Sequence, residues 1–297
     1  MRRPKKEIQL TSYDELLGLE ESPEKSMNQV VEIELEKLHP FKNHPFRVSD
    51  DEKMAETVES IKNYGVLNPA LVRPRSEGGY ELISGHRRKR GCELCGKTTM
   101  PVLVRNYTDD EAVIIMVDSN IQRENILPSE KAHAYKMKYD AMKHQGSKGE
   151  KYTADMVGET AGDSGRTVQR YIRLTNLIPD LLDRVDNKTM AFNAAVEVSY
   201  LTEQEQIMLC DAIEREECTP NLSQAKRLKQ YSQDSKLDEN VMDAIMTEEK
   251  PIEDKLVLKG DVLAKYFPKT YTPSQKQKII VKLLEDWHKR QLRQQER

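Results

Sequence analysis

Strand and helix signals alternate in the N-terminal half of the chain, and this alternation restricts the fold more than any other feature. Residues 31–35 alternate apolar and polar side chains with the period of a half-buried strand. A capping box at 49–52 then starts a helical pattern that Gly65 ends. Further strands are predicted at 70–73, 80–83 and 101–104. These residues predict a small α/β domain.

Composition limits how the rest of the chain is organised. Of 297 residues, 33% are charged and 6% are aromatic, which favours several small units over one large core. We expect an α+β protein that is mostly helical overall. Its predicted parts are a flexible tail at 1–28, the α/β domain at 29–127, a helical domain at 128–231, an acidic linker at 232–254 and a C-terminal helical segment at 255–297.

A cationic turn occupies residues 84–90, where a predicted strand is followed by a helix. Free N–H groups and the positive end of the helix dipole favour an anion at such a position. Arg87, Arg88 and Arg90 add guanidinium donors suited to phosphate oxygens. A solvated charged surface is the alternative explanation.

A second polar motif at residues 118–130 lies at the junction of two predicted helices. It supplies amide, hydroxyl, guanidinium and carboxylate groups within a short stretch. Asn120 and its acidic neighbours are oxygen ligands of the kind that hold hydrated Mg²⁺ beside a triphosphate. Together the two motifs predict a polyphosphate site.

Residues 153–174 have the pattern of a helix-turn-helix, with a glycine-containing turn and a Ser164 cap before the second helix. Such a second helix presents polar side chains to base edges in the major groove of double-stranded DNA. A solvated face is again the alternative. The predicted DNA-binding residues are Arg166, Thr167, Gln169, Arg170 and Arg173.

The C-terminal segment contains an amphipathic helix after Pro273, with Ile280, Leu284 and Trp287 on its apolar face. Pairing of two chains is the preferred interpretation, and packing within one chain is the alternative. No apolar run approaches the length of a membrane span, so we expect a cytoplasmic protein with no membrane partner. Cys92 and Cys95 share a helix face, which favours packing over a metal site.

The order of these motifs resembles the ParB family of chromosome and plasmid partition proteins. Gly-x-Arg-Arg-x-Arg at 85–90 precedes a strand, then Ser-Asn-x-Gln-Arg-Glu at 119–124, then the helix-turn-helix. The resemblance implies a nucleoid-associated homodimer that binds a centromere-like DNA site and closes as a clamp with CTP and Mg²⁺. It also implies a ParA-type ATPase as partner, for which residues 16–19 are a candidate contact.

The resemblance assigns site residues by position. The implied nucleotide-binding residues are Arg47, Gly85, His86, Arg87, Arg88, Arg90, Asn120, Gln122, Arg123 and Glu124, with Asn120 also at the metal. Two departures bear on the chemistry: Ser119 replaces the usual glutamate, and His39–Arg47 replaces the usual Asn-Pro-x-Gln-Pro-Arg motif. Nucleotide binding is therefore expected rather than efficient hydrolysis, and slow CTP hydrolysis stays open.

Other classes of function remain at this point. A helix-turn-helix transcriptional regulator would bind DNA with no nucleotide dependence. A nuclease or phosphotransferase on the same fold is a third alternative, although no compact array of carboxylates suited to two metals stands out in the sequence.

Overall fold

The computed structural model describes residues 30–123, 125–146, 149–248, 263, 265–268 and 270–295. The chain divides into two compact units, Met1–Glu248 and Glu249–Arg297, and each is described by itself. The predicted tail at 1–28, with its candidate contact at 16–19, lies outside the described residues.

A five-stranded mixed sheet forms the N-terminal part of the first unit. The order is β1-β5-β3-β4-β2, with β1/β5 and β3/β4 antiparallel and β3/β5 and β2/β4 parallel. A 3-10 turn, Leu35–Lys37, separates the first two strands. The strands are β1 Val30–Glu34, β2 Leu38–Pro40, β3 Ala70–Pro74, β4 Tyr80–Ser84 and β5 Thr99–Val104.

Two helices, α1 Glu52–Tyr64 and α2 His86–Leu94, share a core with this sheet. The side chain of Asp51 caps α1 by accepting a hydrogen bond from the N–H of Met54. The core comprises Leu35, Leu38, Ile61, Ala70, Val72, Leu82, Cys92, Met100 and Val102. Burial in this core raises the pKa of the Cys92 thiol. No cluster of metal-ligating side chains occurs in the part of the chain that the structure describes.

A second core joins the sheet to the helices α3 Asp109–Asp118, α4 Pro128–His144, α5 Glu150–Glu159 and α6 Gly165–Leu174. It brings Ile83 of β4 together with Met116, Tyr135 and Val168, all of which are buried. The proposed domain boundary after residue 127 therefore falls between two helices that contribute to one core.

The third core belongs to the helices that follow, α7 Pro179–Asp186, α8 Phe192–Val198, α9 Glu203–Glu216, α10 Leu222–Gln233 and α11 Glu239–Met246. The prediction of an acidic linker at 232–254 needs correction for α11, because Met242, Ile245 and Met246 are buried there. These residues have helical spacing, whereas Asp243, the one acidic residue between them, is half-buried and pairs with Arg215 at 2.6 Å. Residues 249–254 lie outside the described part.

The second unit contains α12, Pro273–Gln295. Leu283, Leu284 and Trp287 are each more than half exposed on this helix. Among the described residues, no helix combines the length and apolar character that crossing a membrane requires. The predicted fold class, a mostly helical α+β protein with a small N-terminal sheet domain, is confirmed.

Candidate functional site

A cavity of about 850 Å³ opens on the first unit between the loop before α1, the start of α2 and the segment that leads into α4. Three predicted nucleotide-binding residues, Arg47, Arg87 and Arg123, reach it from these three parts of the chain. The lining comprises Phe46, Arg47, Ser49, Asp51, Glu52, Lys53, Arg87, Arg123, Asn125, Ile126, Leu127 and Glu130. The structure thus brings distant cationic residues together at one cavity.

Gly85 determines how the chain enters α2. Its φ of 112° lies in the left-handed region, and a Cβ atom there would come within 2.7 Å of the Cβ of Ala70. Because glycine has no side chain to cap the helix, the first N–H groups of α2 keep the positive end of the helix dipole available to an anion.

Two arginines of the basic turn are paired with the acidic residues that precede α1. Arg87 donates to Asp51 at 2.8 Å, and Arg90 donates to Asp50 at 2.6 Å. The hydrogen bond from Arg87 lowers the pKa of Asp51 to about 2. A guanidinium has five N–H donors, so Arg87 keeps donors for a phosphate while Asp51 holds its orientation. Arg90 does not line the cavity.

Arg88 has a different environment from its neighbours. Its Nη1 donates to the carbonyl oxygens of Asn68 and Pro69, the latter at 2.7 Å. Burial lowers the pKa of this guanidinium. Arg88 does not line the cavity, and its contacts fix the loop before β3 against α2. Substituting Arg88 would therefore disturb packing as well as any ligand contact.

His86 anchors the loop that carries Phe46 and Arg47. Its Nε2 accepts a hydrogen bond from the N–H of Phe41 at 3.3 Å, and its ring lies 3.9 Å from that of His44. Burial, with His44 as the next cause, lowers the pKa of His86 to about 3. His86 is therefore neutral and holds the loop in place, rather than offering a charge to the cavity.

Among the described residues predicted from the second motif, only one lies on the cavity wall. Arg123 lines the cavity, with its guanidinium 6.0 Å from the centre of the Phe46 ring. Gln122 donates to the carbonyl oxygen of Thr160 at 2.9 Å, at the end of α5. Glu124 lies outside the described residues.

Asn120, the predicted metal ligand, is held by hydrogen bonds that its amide nitrogen donates, and its role at a metal stays a prediction. It is 2% exposed, and its Nδ2 donates to the carbonyl oxygen of Met116 at 2.7 Å and to Ser119 Oγ at 3.1 Å. Two of the three described carboxylates that line the cavity have protein partners, because Asp51 pairs with Arg87 and Glu130 accepts backbone hydrogen bonds; the third is Glu52.

Glu130 is the last residue of the second motif, was not among the predicted binding residues, and closes one side of the cavity. Glu130 is 9% exposed and accepts hydrogen bonds from the N–H groups of Arg47, at 2.8 Å, and Leu127, at 3.2 Å. Pro128, at the first position of α4, was the signal for this helix start that the sequence offered. The hydrogen bond between Glu130 and Arg47 joins residues 83 positions apart, and a local sequence pattern cannot predict such a contact.

The helix pair α5 and α6 is joined by a turn at residues 160–164. Gly158 is required at the end of α5, because a Cβ there would collide with the carbonyl of Asp163. Ser164 caps α6 by accepting from the N–H of Thr167 at 3.2 Å. Arg166 and Gln169 are exposed on α6, whereas Thr167 is half-buried.

The remaining cations of α6 contact the helices behind it. Arg170 donates to Asn193 Oδ1 and lies 5.2 Å from the centre of the Phe192 ring. Arg173 donates to the carbonyl oxygen of Ser199 at 2.9 Å and lies 3.8 Å from the centre of the Tyr200 ring. Arg173 is therefore held at the end of α8, which gives it a structural role in this arrangement.

Comparison with known proteins places this geometry in context. Residues 20–121 match the ParB N-terminal domain family. A probable chromosome 1-partitioning protein ParB of Deinococcus radiodurans is 33% identical over 167 residues, which cover 56% of this chain and 54% of that protein. A nucleoid occlusion protein of Listeria innocua is 29% identical over 192 residues, covering 64% and 65% of the two chains.

The matched regions span between half and two thirds of the length of these relatives. A crystal structure of C-terminally truncated ParB from Caulobacter crescentus, complexed to the centromeric parS site, has a TM-score of 0.43 and 22% sequence identity. That match covers 67% of this chain and 98% of the other. The chain carries a ParB N-terminal domain and is related in sequence to the ParB-type chromosome-partitioning proteins.

Proposed function

We propose that the chain is a DNA-binding partition protein that binds CTP in the cavity at the start of α2. The observation that carries this proposal is the convergence of Arg47, Arg87 and Arg123 on that cavity. A triphosphate bears several negative charges, and forked guanidinium donors bind its oxygens with strong charge-assisted hydrogen bonds. The N-terminus of α2 adds a further favourable field.

The choice of CTP follows the family resemblance, since the cavity residues select for phosphate charge rather than for a particular base. Phe46 lies beside Arg123 at the cavity and is the candidate contact for the base and sugar. Nucleoside triphosphates carry Mg²⁺ as their counter-ion, and we assign that ion no ligand from this chain.

DNA binding is proposed for the exposed side of α6. Arg166 and Gln169 near its start are exposed, and these side-chain types pair with guanine and adenine edges, respectively, in the major groove. Arg170 is the third candidate, held by Asn193 and Phe192 next to the helix. The start of a recognition helix is the part that faces the bases.

The proposed whole is a homodimeric clamp that acts in the segregation of a chromosome, plasmid or mobile element, with a ParA-type ATPase as partner. The apolar face of α12 supports pairing of two chains. If specific DNA promotes closure with CTP, CTP must change the affinity for that DNA by the same factor, because coupling between two binding sites is reciprocal.

Calorimetric titration of the full chain with CTP, ATP, GTP and UTP in Mg²⁺ tests the nucleotide proposal. We expect CTP to bind and Arg123→Ala to weaken it by about tenfold or more, since a lost charge-assisted hydrogen bond costs roughly 1.5–3 kcal/mol. Arg75→Ala is the matched control. Arg75 does not line the cavity, and its guanidinium pairs with Glu77 at a distance of 2.6 Å. Equal CTP affinity in wild type and Arg123→Ala would refute the assignment.

Binding to DNA fragments from the protein's own genetic neighbourhood tests the proposal that α6 binds DNA. Arg166→Ala should weaken specific binding by about tenfold or more, in line with roughly 1–3 kcal/mol for a base contact. Arg75→Ala again controls for the loss of one positive charge. Retained specific DNA binding with no nucleotide binding would instead support the helix-turn-helix regulator.

A further inference from the structure

A buried lysine in α4 joins three segments of the first unit. The Lys138 side chain is 5% exposed, and its Nζ donates to Asp118 Oδ1 at 2.5 Å, Thr160 Oγ1 at 3.1 Å and the carbonyl oxygen of Val157 at 3.3 Å. An ammonium group has three N–H donors, so these acceptors satisfy all of them.

The partners of Lys138 lie next to the two proposed binding sites, the nucleotide cavity and the DNA-binding helix α6. Asp118 is the last residue of α3 and precedes the segment 119–123, which carries Arg123 to the cavity. Thr160 begins the turn between α5 and α6. Gln122, from the same segment as Arg123, also contacts Thr160 by donating to its carbonyl oxygen at 2.9 Å.

Burial makes these contacts interdependent. A buried charge that loses its partner is strongly unfavourable, so Asp118 cannot leave Lys138 without another acceptor replacing it. A displacement of segment 119–123 at the cavity therefore requires either a matching displacement of Thr160 or a rearranged lysine site. Either change alters the contacts that hold the turn at residues 160–164, and this turn positions α6.

We propose that Lys138 is a positioning residue that couples occupancy of the cavity to the DNA-binding helix. The inference rests on the proposed function and identifies the contact through which its two sites communicate. A ligand that draws Arg123 into the cavity acts on Asp118 and Gln122, and these act on the turn through Lys138 and Thr160. Because binding coupling is reciprocal, DNA on α6 acts on the cavity through the same contacts.

Lys131 provides a matched control on the same helix. Its Nζ pairs with Asp163 Oδ2 at 2.6 Å, near the other end of the turn, and lies 4.8 Å from the centre of the Tyr171 ring. Lys131 thus also ties α4 to the turn, but these partners lie outside segment 118–123. Lys131→Met and Lys138→Met remove the same charge from α4 and differ in the link to Asp118.

The experiment measures the CTP dissociation constant of the full chain with and without a specific DNA fragment, and the ratio of the two values reports coupling. We expect a wild-type ratio of about fivefold or more, as is typical of allosteric coupling. Lys138→Met should bring the ratio close to one while CTP and DNA each still bind. Lys131→Met should keep the wild-type ratio even where it weakens DNA binding.

A purely structural role for Lys138 would lower thermal stability and leave the ratio unchanged, and that result would overturn the inference. Equal loss of the ratio in Lys131→Met would also overturn it, since the link to Asp118 would not matter. If Lys138→Met does not fold, Asp118→Leu combined with Lys138→Met removes both charges and is the variant to measure. If the wild-type CTP dissociation constant is the same with and without specific DNA, both the proposed CTP-dependent clamp and this inference are refuted.

Discussion

His86 shows how a single residue in a cationic motif can act without charge. It directly precedes Arg87 and Arg88 in sequence, yet its Nε2 accepts a hydrogen bond from the N–H of Phe41, which requires that nitrogen to be unprotonated. His44 is half-buried, and this burial is the main cause that lowers its pKa. Its Nδ1 donates to the carbonyl oxygen of Phe46 at 2.7 Å, so both histidines hold the loop that borders the cavity.

This arrangement makes stability depend on pH. The pKa of folded His86 is about 3, below the usual 6.5, so the unfolded chain binds the extra proton between these values and stability falls as pH drops. His86→Gln keeps an acceptor and does not titrate. In urea unfolding below pH 6.5, it should reduce the pH dependence by up to about 1.4 kcal/mol per pH unit. Equal slopes for wild type and variant would contradict the burial argument.

At the scale of elements, helix ends were only partly readable from the sequence, because the capping box predicted at 49–52 is replaced by a cap at Asp51, which accepts from the N–H of Met54. The capping box at Thr108 and Glu111 and the end of α1 at Gly65 follow from short patterns. The prediction of an acidic linker was wrong at α11, because it was based on the charged residues and overlooked three apolar residues at helical spacing. Those residues become a buried face only against the neighbouring helices.

Gly85 offers a test of how strictly the start of α2 is determined. Gly85→Ala should cost about 2–3 kcal/mol, because a positive φ and a close contact with Ala70 are both unfavourable to a side chain. Gly96→Ala is the control, since Gly96 has a φ of 69° with nothing within 4 Å of the added Cβ. Urea denaturation measures both variants, and equal losses would show that the contact with Ala70 is unimportant.

At the scale of the whole molecule, the second unit presents an apolar helix face to solvent. Leu283 is 61% exposed and Trp287 is 59% exposed on α12. A helix with such a face is stabilised when a partner covers it, and a second copy of the same chain supplies an equivalent surface. Local association would also raise the effective concentration of two DNA-binding units.

Leu284→Asp tests this interpretation. The wild-type chain should sediment with twice its own mass, and the variant should sediment as a monomer, because a carboxylate in an apolar interface is strongly unfavourable. Lys282→Glu, at an exposed position of the same helix, should stay dimeric. A monomeric wild type would exclude pairing through α12.

The sequence by itself determined the order of four of the five strands, the end of α1 at Gly65 and the Ser164 cap of α6. Each depends on residues within a few positions of one another, where periodicity and capping act. Only the tertiary structure decided which cations are available: Arg123 reaches the cavity, Arg88 is held by backbone carbonyls and Lys138 is buried beside Asp118. Whether a charged side chain has an ion-pair or hydrogen-bond partner depends on its neighbours in space, and these neighbours are distant in the sequence.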